Sequence, residues 1–264
     1  MTCKELTEEL KAMAAVRVDA EHTCDTFKSG TPEAKVTKTA ISMFATPEVV
    51  KQAAAWGANL LIVHEPTYYN HMDNAANDTL PAAAKEKLIG ETGITIFRFH
   101  DYAHACSPDL ICEGELKYLG LQGNFRPGKY FAVNEFVLNE PVTAVQLAKT
   151  IETKLGIRHV RIAGDPKAKG RNISCSFGTP GHQRESLAEN DFVLTGEICE
   201  WELGEIARDY GQLGLNKAIL VLGHIGSERA GMMHLADILS EKHPGIPVKY
   251  FECSEVYSYT DDFT

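Results

Sequence analysis

Asn59-Leu60-Leu61-Ile62-Val63-His64-Glu65-Pro66 is the stretch on which the fold class turns. Its apolar run is continuous, too short for a helix, and bounded by Gly57 and Pro66. A short run without polar alternation is buried on both faces, the condition of a central strand in a parallel sheet. It stops at His64. Two further runs repeat the pattern: Ile94–Phe99 stops at His100, and Ala218–Leu222 is followed by Gly223 and His224. Helical segments lie between them. Thr46-Pro47-Glu48 offers an N-cap with proline at the first helical position, and Gly57 closes that helix. A second helix covers about Pro81 to Ile89, ending near Gly90, and another covers about Ser227 to Lys242. Strands alternating with helices predict an α/β protein with helices flanking its sheets.

Outward from these units the pattern is mixed. The first fifteen residues read as a helix, with Leu6, Leu10, Met13 and Ala14 at helical spacing. Residues 25–32 are polar with Gly and Pro, and 36–44 read as a strand. Residues 113–141 read as irregular apart from a strand over 131–138. Thr143 can cap a helix running to Leu155, and 160–163 and 173–177 alternate as strands of a second small sheet. Phe192–Thr195 is a further strand, followed by a helix over about 199–210, and 248–251 closes the pattern as a strand. Trp56 and Trp201 fall on helices and read as packing residues.

A chain of 264 residues with 44% hydrophobic and 23% charged residues is ordinary for a globular protein, long enough for one large domain or two small ones. The net charge of −10 argues against a nucleic-acid surface. No run reaches the roughly 18 apolar residues of a membrane helix, and the acidic N-terminus does not resemble a signal peptide. The seven cysteines are odd in number and never fall as Cys-x-x-Cys, which points away from disulfides and thiolate zinc sites and toward a reducing, cytoplasmic setting.

The chemistry gathers where the strands end. Ligands of open α/β sheets bind outside the carboxyl ends of the strands, and three strands here deliver His64, His100 and His224 there. Glu65 follows His64, while His104 and Glu228 each lie four residues after a histidine, on the same face if the segment is helical. Four imidazoles and two carboxylates suffice for two divalent ions with positions open to water. Nitrogen and oxygen ligation without sulfur suits zinc, iron(II), manganese or cobalt. A single strand-end histidine is more often a hydrogen-bonded surface residue than a ligand, so the cluster carries the signal. Asp101 can orient an imidazole or act as a general base. Arg98 and Arg229 could steer an anionic substrate or pair with a site carboxylate. His22, His159, His182, His234 and His243 lack partner spacing, and Gly178-Thr179-Pro180-Gly181 reads as a turn more readily than as an anion cradle.

At these residues the chain resembles the NGG-interacting-factor-three-like family, also labelled type 2 GTP cyclohydrolase I homologues. The resemblance runs from the Asp25…Gly30…Val36 opening through Ala45–Val50, Gly57–Pro66 and Thr195-Gly196-Glu197 to Leu222–Arg229. The last segment is the most specific, because family members carry Gly-His and a Glu four residues on as metal ligands. Two positions depart from the family pattern: His64-Glu65-Pro66 stands where His-His-Pro is usual, and His104 where an aspartate is usual. One imidazole became a carboxylate and one carboxylate an imidazole, so the inventory is preserved.

The resemblance implies a two-lobed subunit with mixed sheets, a main lobe over 1–125 and 190–264 and a smaller lobe over 126–189. It also implies a toroidal homohexamer, a trimer of dimers, with two metal ions per subunit facing an inner cavity. The expected function is metal-dependent hydrolysis of a small, nucleotide-like substrate, with Asp101 and Glu228 as catalytic candidates. The rival reading is a non-catalytic metal-binding hexamer with a scaffold or regulatory role. Nucleic-acid binding through the ring is argued against by the net charge, and salt-dependent DNA binding would revive it.

Overall fold

The computed structural model describes residues 1–73 and 79–263. The chain runs α1 (Cys3–Lys11), β1 (Phe27–Ser29), β2 (Thr39–Ser42), α2 (Pro47–Trp56), β3 (Leu60–Val63), α3 (Leu80–Thr92), β4 (Thr95–Arg98) and α4 (Asp101–His104). It continues through α5 (Leu110–Leu119), β5 (Gly123–Pro127), β6 (Asn134–Thr143), α6 (Ala144–Leu155), β7 (Arg161–Gly164), β8 (Lys169–Ser176) and α7 (Gln183–Glu189). The last elements are β9 (Phe192–Thr195), α8 (Glu205–Gln212), β10 (Ala218–Val221), α9 (His224–Lys242) and β11 (Val248–Tyr250). No helix among the described residues is long and apolar enough to cross a membrane, and all seven cysteines are free.

Two compact units form: Met1–Leu110 with Met232–Ser254, and Ile111–Gly231 with Glu255–Thr264. These bounds differ from the expected 1–125/190–264 and 126–189. The reason is strand pairing: β9 and β10 hydrogen-bond into the sheet that also holds β6, β7 and β8, so residues 190–231 belong with the second unit.

The first unit holds a five-stranded sheet in the order β1-β4-β3-β2-β11. Strands β11, β2, β3 and β4 are parallel. Every residue of β2, β3 and β4 is buried, which is why none of them shows a polar alternation. Strand β1, in a stretch that reads as a polar connection, pairs antiparallel with β4 at the edge. The Thr46 hydroxyl accepts from Val49 N at 3.1 Å, Pro47 opens α2, and Gly57 closes it at φ 84°. Helix α3 runs past the expected Gly90 to Thr92, where Gly93 provides the left-handed cap.

The second unit holds a six-stranded sheet in the order β5-β6-β8-β9-β10-β7, parallel across β8, β9 and β10 and antiparallel outside them. The strands over 160–163 and 173–177, expected to form a small sheet of their own, are part of this one. Ile151 of α6 packs in one core with Ile173, Phe192 and Leu220. Helix α5 occupies residues that read as irregular, because Gly114 interrupts their helical pattern. A Cβ there would meet Gly231 Cα at 2.5 Å, so the glycine permits α5 and α9 to touch backbone to backbone. Residues 200–204 form a wide π-type turn ahead of α8, and Trp201 on it is 79% exposed rather than packed.

Candidate metal centre

In the first unit His64 directly follows β3 and His100 follows β4 by one residue, so parallel pairing sets the two side by side. His104 joins them through α4, whose His104 N donates to His100 O at 3.1 Å. The remote carboxylate of Asp25 prepares that turn: Oδ1 accepts the amides of His100 and Asp101, and Oδ2 that of Tyr102, each at 2.9 Å. A buried acceptor thus fills a helix N-terminus that has no side-chain cap of its own. The outcome is a group in which one nitrogen from each of His64, His100 and His104 lies within 4.8 Å of the others.

Each imidazole is already held through its other nitrogen. His64 Nδ1 donates to the carbonyl of Phe99 at 2.9 Å. His100 Nδ1 meets Asp101 Oδ1 at 2.9 Å, and His104 Nδ1 meets Asp109 Oδ2 at 2.8 Å. Acceptors of this kind place the ring proton on Nδ1 and leave the lone pair on Nε2, the arrangement found around metal-bound histidines. Burial pushes His100 down to about 4, against the opposing pull of Asp101, so its ring is neutral at pH 7 as a ligand must be. Burial would raise the Asp101 carboxyl, but hydrogen bonds from His100 and Thr23 outweigh it and hold the group well below the usual carboxylate range. Asp101 Oδ2 also accepts from Cys24 N, so both of its oxygens are engaged.

Glu65 has a donor oxygen within 4.8 Å of a His64 nitrogen, and its Oε2 lies 3.5 Å from Arg98 Nη2. Arg98 is 1% exposed and directed at the protein itself, so the ion-pair reading holds and the substrate-steering one does not. The Arg229 guanidinium donates to the Leu155 carbonyl, again inward. His71, which no spacing signal marks, brings an exposed ring to 5.6 Å from that of His100.

The second unit supplies its own pair. His224 opens α9, and its Nε2 stands 3.3 Å from Glu228 Oε2, the i, i+4 relation read from the sequence. Glu228 is 2% exposed. His224 Nδ1 meets Glu197 Oε1 at 2.6 Å, which gives the glutamate of Thr195-Gly196-Glu197 its physical role. The 178–181 loop is no anion cradle: Gly178, at φ 65°, packs so close that a Cβ would lie 2.5 Å from Glu228 Oε1. Its amide donates to Ser227 Oγ at 3.0 Å, which fixes the loop against α9. His22, His182 and His243 have partners elsewhere, in Asp19, Tyr130 and Glu9.

The orienting residues Asp25, Asp109 and Glu197 escaped the sequence reading. Asp25 and Glu197 stood in quoted motifs, without an orienting role assigned to either, and Asp109 carried no signal. The first-unit donors fit a divalent cation: pre-oriented imidazoles with a carboxylate alongside.

A relative from Clostridium perfringens, a GTP cyclohydrolase 1 type 2 homolog, is 25% identical over 226 residues, 81% of each chain. One of the same name from Chlamydia pneumoniae is 23% identical over 265 residues, 92% of this chain and 95% of the relative. The fold is shared with the crystal structure of a Bacillus cereus protein related to NIF3, at a TM-score of 0.79 and 15% identity, covering 98% of this chain and 99% of that one. The family description Duf34/NIF3 (NGG1p interacting factor 3) matches residues 1–256, and the chain belongs to that family.

Proposed function

We propose that this chain is a divalent-metal protein that hydrolyses a small, nucleotide-like substrate. The observation that carries the reading is the convergence of His64, His100 and His104 with each Nδ1 already engaged. The proposed ligands are these three with Glu65, and His224 with Glu228, enough donors for two ions of zinc, iron(II) or manganese and open positions besides. Bound ions would supply hydroxide near neutral pH and polarise the bond to be cleaved. Asp101, Asp109 and Glu197 keep the imidazoles in their ligating tautomer, and Glu228 Oε2 can hold a proton released during the reaction. The name carried by the Clostridium perfringens relative supports cyclohydrolase-type chemistry. A cytoplasmic homohexamer, built as a trimer of dimers, belongs to the same proposal.

The test is elemental analysis of untagged, chelator-free protein beside His64→Ala and Glu228→Ala. The expected result is about two ions per chain, lost or halved in each variant. A wild-type content near zero after incubation with zinc, iron(II) and manganese would sink the proposal.

A further inference from the structure

Arg98 closes β4 with its side chain buried beneath the segment that leaves β3. Its Nε donates to the His64 carbonyl at 2.9 Å, its Nη1 donates to the His71 carbonyl, and its Nη2 faces Glu65 Oε2 at 3.5 Å. All three partners lie between residues 64 and 71. A charge at this depth is costly unless it is paired, and Glu65, itself only 6% exposed, is the carboxylate that pairs it. The pairing has a consequence for Glu65. One of its oxygens is turned to the guanidinium, which offsets its charge, and the imidazoles beside it would bind an ion as neutral ligands.

Cations differ in how they respond to such a set. Imidazole nitrogen suits zinc, whereas manganese depends more on carboxylate oxygen, and full-charge or bidentate carboxylates favour the harder ion. We propose that Arg98 is a positioning residue that sets the cation preference of the histidine centre, restraining Glu65 so that zinc is favoured over manganese. This rests on the metal-binding reading above.

The experiment uses the full chain stripped of metal and titrated separately with zinc and with manganese in competition with a chromogenic chelator. In Arg98→Met the released Glu65 charge should improve manganese binding relative to zinc by about tenfold or more. In Arg98→Met/Glu65→Gln both charges go together, so no lone charge is buried and the fold is kept even where the single variant fails. There zinc affinity should stay within about threefold of wild type and the preference for zinc should return. Equal weakening of both metals in Arg98→Met, with an unchanged ratio, would reduce Arg98 to a structural prop and overturn the proposal. Loss of zinc by more than about tenfold in the double variant would also overturn it, since zinc binding would then depend on the full carboxylate charge that Arg98 is proposed to restrain. A wild-type protein that binds neither ion would instead defeat the metal-binding reading, a result separate from both.

Discussion

Asp109 shows what a single carboxylate contributes at this site. It touches no prospective ion, yet its contact at 2.8 Å decides which nitrogen of His104 carries the proton. Asp109→Ala should weaken zinc binding about 10- to 100-fold, measured by chelator competition. Unchanged affinity would remove His104 from the ligand set. Gly178→Ala is expected to act from the other unit, driving a methyl group into Glu228 at a backbone angle that disfavours any side chain. Its thermal midpoint should fall and its metal content should drop together. The candidate ligands were legible in the sequence because strand ends mark them. Their orienting partners were not, because Asp109 and Glu197 arrive from loops whose approach depends on packing. Arg98 was legible as a possible partner of a site carboxylate, but its burial follows from how residues 64–71 fold back over it.

At the scale of elements, α4 is a four-residue helix that could not stand alone, since nucleating a single turn is unfavourable. Asp25 supplies what it lacks by accepting three amides at its N-terminus. Asp25→Ala leaves those donors without their acceptor and should cost about 3 kcal/mol or more in urea denaturation of the metal-free protein. Asp25→Asn, which keeps one carbonyl oxygen, should lose less. The buried parallel strands and α2 were legible because period, caps and bounding residues agree. Helix α5 was not, since Gly114 weakens its local signal and is explained only by the backbone of α9 across from it. β1, a three-residue edge strand, is too short to show a period at all.

For the whole molecule, the pH dependence of stability should be set in part by Glu115. It is fully buried, accepts from Ala230 N at 2.7 Å, and burial pushes its carboxyl up to about 8. Between the usual carboxylate value and about 8 the native state holds a proton that the unfolded chain has released. Stability therefore falls as pH rises through that window. The metal-free protein should lose on the order of 4 kcal/mol across it, a loss that Glu115→Gln abolishes. Equal urea midpoints for the two proteins near pH 8 would disprove this. Lys85, pushed down to about 8 by burial, works oppositely above that pH, where its stabilising effect grows. The α/β class was legible at this scale. The unit boundaries were not, because only strand pairing reveals that β9 and β10 belong with β8.

The Asp25 cap also has a kinetic meaning. It joins residues 75 to 77 positions apart, so the turn bearing His100 and His104 cannot be completed until a long loop has closed. The entropy of that closure must be met before contacts of such sequence separation contribute. The histidine cluster is therefore complete only once that closure is made, and its appearance reports that Asp25 has reached the end of β4.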